Sequence, residues 1–360
     1  MKHAAILIII ALCLFWGCKG QTDNQTDGLL VLKEQGSFSV GGTIIQNPGT
    51  YDANKFDNFK PYPDGQTFHG DHAYVFYQIP DNSRKYPLVF LHGAGQSART
   101  WETTADGREG FQNIFSRRRF STYLVDQPRR GKAGRSTVAA TIEPIADEQM
   151  WYEIFRIGIW PNYFDNVQFP RDKKSLENFF RQMTPNTGGF DANVITNSMV
   201  ELFNKIGQGI LITHSQGGLP GWFAGVKSSN VKAIVSYEPG TYLFPEGELP
   251  EPITGRTGVL SGIEIPMADF KKLTQIPIVL YFGDNIGKEV SNDLGAENWR
   301  TRLALGRLFV EAINRHGGDA TLVELPEIGI YGNTHFLMSD LNNIEIADLL
   351  SDWMKEKGLD

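Results

Sequence analysis

Six short apolar runs set the narrowest limits on what this chain can become: Leu88–Leu91, Thr122–Val125, Ile210–Thr213, Ala233–Ser236, Ile278–Phe282 and Thr321–Leu325. They run apolar rather than alternating, as strands covered on both faces do. Each gap between them is long enough for a crossover helix, which parallel neighbours need and hairpins do not. The expectation is a mostly parallel sheet with helices packed on its faces. Two β-prone stretches come first, Ser37–Ile45 and Ala73–Ile79, bounded by Gly, Pro, Asn and Asp. They read as an opening antiparallel pair, which makes the sheet eight-stranded.

Helical periodicity fills several gaps. Asn193–Ile206 has apolar residues at helical spacing and stops at Gly207, and Trp299–Arg315 repeats the pattern before Gly317-Gly318. The stretch from Ser136 to about Asn193 is too long for a bare loop. It is rich in aromatics, among them Trp151, Tyr152, Phe155, Trp160, Phe179 and Phe180, and reads as a helical cap, about 137–193, inserted over the sheet. Those aromatics build the cap's own small core or line a cavity beneath it, and a lid can do both.

A chain of 360 residues that is 41% hydrophobic and 21% charged can bury one large core, and no interior linker or repeat divides it. We place the domain at 31–360. The formal charge of -7 argues against a nucleic-acid partner, which demands a clustered basic surface. Lys2 and His3 lead into an apolar run, Ala4–Trp16, that has the length of a signal-peptide core and is too short for a relaxed membrane span. Residues 1–18 are therefore expected to direct export, to the periplasm, the outer membrane or the medium. The run ends in Phe15-Trp16-Gly17-Cys18, which resembles a bacterial lipobox, although Phe15 and Trp16 depart from its usual Leu and small residue. Membrane attachment through a lipidated Cys18 is the expectation that resemblance carries, beside plain secretion. Cys13 and Cys18 are the only cysteines, so the processed domain holds no internal disulfide. Residues 19–30 are polar and aperiodic, as befits a tether.

The chemistry is written most clearly in Gly209-Ile-Leu-Ile-Thr-His-Ser-Gln-Gly-Gly218, an apolar strand that runs straight into a small-residue turn with Ser215 at its apex. Such an elbow strains the serine backbone so that the hydroxyl is exposed, and it tolerates little bulk on either side. Thr213 stands where the usual motif has its first Gly. Upstream, Leu88-Val-Phe-Leu-His-Gly-Ala-Gly95 is a strand ending in a Gly-rich loop, suited to bring backbone N–H groups against a developing oxyanion. Ala94 and Gln216 are the candidate donors, while His92 and His214 read as structural.

A serine hydroxyl needs a base, and in this element order the histidine follows the last strand. His335, in Ile330-Tyr-Gly-Asn-Thr-His-Phe336, fits; His316 precedes that strand, and His69 and His72 lie near the opening pair. Two carboxylates are placed to orient the histidine. Glu238 follows the strand after the elbow, and Asp284 follows the next strand. Spacing does not choose between them.

The chain resembles the bacterial secreted esterases of the esterase 713 type, a branch of the α/β-hydrolases, through Gly36-Ser-Phe-Ser-Val-Gly-Gly42, Trp101-Glu-Thr-Thr-Ala-Asp-Gly107, Val125-Asp-Gln-Pro128, Thr213-His-Ser-Gln-Gly217, Glu238-Pro-Gly240 and Gly332-Asn-Thr-His335. The resemblance implies the α/β-hydrolase fold and ester hydrolysis. That reaction needs no cofactor, and no His/Asp/Glu cluster with metal-ligand spacing accompanies these residues, which argues against a catalytic metal. It also implies Glu238 as the acid and Ala94 and Gln216 as the oxyanion donors. The expected substrate is a small-molecule ester, apolar or aromatic and of modest size. A lactonase, amidase or peptidase on the same scaffold, or a surface binding protein without activity, are the readings it competes with. A haloalkane dehalogenase is disfavoured, because that chemistry puts Asp where this chain has Ser215.

Overall fold

The computed structural model describes residues 28–360. The expected signal segment, Cys18 and the expected tether up to residue 27 lie outside the described residues. Among those described, no helix is long and apolar enough to cross a membrane.

One sheet carries the molecule. Its strands are β1 (Leu32–Val40), β2 (Ala73–Pro80), β3 (Leu88–Leu91), β4 (Thr122–Asp126), β5 (Gly209–His214), β6 (Val231–Tyr237), β7 (Pro277–Phe282) and β8 (Asp319–Glu324). They lie in the order β1-β2-β4-β3-β5-β6-β7-β8. β1 and β2 pair antiparallel, as do β2 and β4, and every other neighbour is parallel. The mostly parallel eight-stranded sheet is thus the one the apolar runs imply.

The central strands are apolar throughout because both faces are covered. Val89, Leu91 and Leu211 point into one core, with Leu202 and Phe203 of α4 (Ala192–Ile206), Trp222 of α5 (Gly218–Lys227), Phe270 of α6 (Met267–Leu273) and Phe309 of α7 (Leu294–Arg315). Leu88, Phe90, Ile210 and Ile212, their alternate neighbours, point into the other. There they meet Phe111 and Phe115 of α1 (Phe111–Arg117) and Leu350 and Met354 of α8 (Asn343–Glu356). Each such side chain taken fully out of water contributes about 1.5–3 kcal/mol.

Most strands run one to five residues beyond the sequence reading, and three further boundaries differ from it for a local reason. The stretch 37–45 splits at Gly41-Gly42, both at positive φ (67° and 99°), and Thr43–Gln46 pairs with Thr67–Gly70 instead of extending β1. β8 stops at Glu324, because Leu325-Pro326 turns into a 3-10 segment and proline has no N–H for the ladder. α7 begins at Leu294 rather than Trp299, started by Asp293, whose carboxylate accepts from the Ala296 N–H at 2.9 Å. The first turn of that helix lacks apolar periodicity and so left no signal.

Between β4 and α4 the chain carries α2 (Glu148–Ile154), a small ribbon pairing Gly158–Ile159 with Asn162–Tyr163, and α3 (Lys173–Arg181). Its aromatics divide. Tyr152 meets Trp160 and Tyr163 edge-on at 5.3 and 5.6 Å, forming a core of the segment's own. Phe155 instead stacks against His335 at 5.5 Å.

Candidate active site

β5 delivers Ser215 at its carboxyl end. The serine sits at φ 54°, a conformation that a residue with a Cβ adopts at a cost of about 1–3 kcal/mol and that recurs where a side chain must be thrust outward. Two glycines make room for the turn. A Cβ on Gly217 would lie 2.6 Å from the His92 carbonyl oxygen, and one on Gly93 would lie 2.7 Å from the Ser215 Cβ. The elbow and the loop after β3 are therefore packed back to back. That loop is braced from behind: the His92 ring donates to the Gly93 carbonyl at 3.0 Å and accepts from the Gln127 N–H at 3.2 Å. Arg130 also donates to the Gly93 carbonyl, at 2.7 Å. Burial holds His92 well below its ordinary range, so the ring is neutral, as this pair of bonds requires.

Ser215, His335, Ala94 and Gln216 all line one cavity of about 360 Å³, whose wall is otherwise mostly aromatic and aliphatic. The Ser215 hydroxyl and the His335 ring share this wall without a hydrogen bond joining them; such bonds are often long before substrate arrives.

The two candidate acids separate at once. Glu238, fully buried and at φ 45°, accepts from His335 Nδ1 at 2.6 Å through Oε2. Its Oε1 accepts from the Gly283 N–H at 2.7 Å and from Arg156. Asp284 does not touch His335. Its carboxylate accepts from the Gly332 N–H at 2.7 Å and the Asn285 N–H at 2.6 Å, so it holds the loop that carries the histidine. Asp340 clasps the same loop, accepting from the Thr334 N–H at 2.7 Å, the Thr334 hydroxyl at 2.8 Å and Asn333 at 3.0 Å. Burial pushes the Asp340 carboxyl up to about 7.

Three contributors had no signal in the sequence. Arg156, fully buried, joins Glu238 and also donates from Nε to the Asp284 carbonyl at 2.7 Å. Trp299 lies against His335 with ring centroids 4.0 Å apart. Arg302 lines the cavity one helical turn away from Asn298, to which it is bonded. The His335 imidazole is held well below its ordinary range by burial, then by the cations Arg156 and Arg302. Glu238, bonded to the ring at Nδ1, shares its charge with Arg156. His214 is neutral for similar reasons and spends Nε2 on the His335 carbonyl at 3.0 Å. His316 sits elsewhere, paired with Glu248 at 2.9 Å. Among the described residues no group of three or more His, Cys, Asp or Glu is placed to hold a metal.

No family model matches the chain. A solved structure described as that of a novel bacterial esterase is 30% identical, with 91% of this chain and 97% of that one covered and a TM-score of 0.70. The chain belongs to this family of α/β-hydrolase esterases. A curated relative, the probable secreted lipase phiG of Fungal sp. (strain ATCC 74256), is 26% identical over 353 residues, 85% of this chain and 89% of that protein. The sequence motifs and these similarities thus agree on an α/β-hydrolase esterase.

Proposed function

We propose that the esterase cleaves a small-molecule carboxylic ester through Ser215, His335 and Glu238. The observation that carries this is the buried 2.6 Å bond from His335 to Glu238 on the wall of the cavity that Ser215 lines. With Nδ1–H given to Glu238, Nε2 keeps the lone pair that receives the serine proton. Ser215 Oγ adds to the ester carbonyl, and the oxyanion is met by the N–H groups of Ala94 and Gln216. The alcohol departs with the proton from His335, and water, deprotonated by the same nitrogen, releases the acid. Neither step needs a cofactor.

Three further readings belong to the proposal. Segment 137–193 serves as the cap, with Trp151, Ile154 and Phe155 lining the cavity and setting an apolar limit on its occupant. Residues 1–18 direct export, supported by their composition and by a relative named as secreted. Lipidation at Cys18 then keeps the domain at a membrane.

The test is to treat the purified protein with a fluorophosphonate probe, map the modified residue, and assay short-chain 4-nitrophenyl esters alongside. Modification of Ser215 with ester turnover is expected. A folded protein that is neither labelled nor active refutes the assignment.

The electrostatics add a pH prediction. A base must be neutral, and a histidine whose pKa is lowered stays neutral to lower pH. The acid limb of kcat/KM should therefore have its midpoint below the ordinary histidine value of about 6.5. A pH–rate profile with a midpoint at or above that value contradicts the environment described for His335.

A further inference from the structure

Arg302 is the one Lys, Arg, Asp or Glu among the residues that line the catalytic cavity. The two histidines there are held neutral, so the guanidinium is the cavity's only formal charge. It is also fixed in place. Nη1 donates to both the carbonyl and the side-chain oxygen of Asn298, each at 2.7 Å, and the guanidinium lies over the Trp299 ring at 5.4 Å. Those bonds use one nitrogen and leave the edge formed by Nε and Nη2 without an acceptor among the described residues.

That edge is the fork which matches a carboxylate with two parallel bonds. Elsewhere the same protein fills it. Arg129 sets Nε and Nη2 on the two oxygens of Asp71, both at 2.8 Å, and Arg300 does so with Glu297, both at 2.7 Å. Arg117 directs its own fork at Glu109. Arg302 alone of these four has no ion-pair partner among the described residues, and it is the one that lines the cavity.

A partly buried cation without a counter-ion is costly to maintain in an apolar wall. We propose that the missing partner arrives with the substrate: Arg302 binds a carboxylate that the ester carries in addition to its scissile bond. This rests on the ester-hydrolase reading and narrows it to anionic esters with an apolar or aromatic body. Pre-fixing by Asn298 and Trp299 means that little ordering is left to do on binding.

The test compares matched esters with and without the charge on the full protein. On the acyl side, mono-4-nitrophenyl adipate is set against 4-nitrophenyl hexanoate. On the alcohol side, 4-(carboxymethyl)phenyl butyrate is set against 4-ethylphenyl butyrate. Wild-type kcat/KM, corrected for spontaneous hydrolysis, should favour the charged member of at least one pair by about tenfold to a hundredfold, the range of a charge-assisted pair. In R302M that ratio should fall to about one, and R302K should keep part of it. A wild-type ratio near or below one in both pairs overturns the proposal, and so does a preference that survives in R302M. The wild-type ratio decides even if R302M fails to fold. Turnover of the neutral esters without a charge preference removes this inference alone. Failure to hydrolyse any of the four, with Ser215 unlabelled, removes the ester reading and this one with it.

Discussion

Ser215→Ala should lower ester turnover by up to about a millionfold, because members of a catalytic unit fail together once the nucleophile is gone. The exchange leaves the elbow otherwise intact. Alanine keeps the Cβ that packs against Gly93, and it inherits the same φ of 54°, so no strain is added or relieved. The variant should therefore unfold at the wild-type temperature while losing both activity and fluorophosphonate labelling. Residual turnover near the wild-type level, measured on protein free of contaminating esterase, would end the assignment of Ser215.

Glu238→Gln should be the second largest loss, about ten-thousandfold in kcat, the scale seen when the histidine of a serine hydrolase is forced into the wrong tautomer. The hydrogen bonds show why. One oxygen of Glu238 faces two donors, Arg156 and the Gly283 N–H, and the other faces only His335 Nδ1. A glutamine would give its carbonyl to the two donors and turn its NH2 towards the ring. The imidazole would then hold its lone pair on Nδ1 and its proton on Nε2, the reverse of what a base beside Ser215 requires. Arg156 would also lose its counter-ion, and a stranded buried charge destabilises by about 3–5 kcal/mol. A lowered melting temperature should accompany the kinetic loss. Asp284→Asn should stay within about tenfold of wild type, since Asp284 reaches the histidine only through Gly332. Parallel assays of the two variants check this ranking, and a larger loss for Asp284→Asn moves the acid to that position.

The sequence revealed the sheet because strands buried on both faces cannot help being apolar, and it singled out Ser215 as the candidate nucleophile because the elbow needs its glycines. His335 became the candidate base from element order, and the structure brings both to the wall of one cavity. The choice between Glu238 and Asp284 was illegible in spacing for a physical reason: each follows the end of a strand in the same sheet, and both end up serving the His335 loop. What separates them is which carboxylate meets the ring and which meets the backbone, a matter of side-chain direction. Arg156 and Arg302 were beyond reach altogether. One stands just after α2 among aromatics and the other within a helix, and nothing beside them in the chain marks that they converge on one histidine.

Arg156 belongs to the segment between β4 and α4, yet its charge is spent on Glu238, and the neighbouring Phe155 carbonyl takes the His335 N–H at 2.9 Å. That segment is thus sewn into the floor of the candidate site as well as lining its cavity. Transplanting the segment from another hydrolase to alter substrate range would carry off the counter-charge of Glu238 and release the backbone that holds His335 in the same operation. A wider pocket is better sought by changing wall residues that hold none of the stitching, such as Phe190 and Leu219.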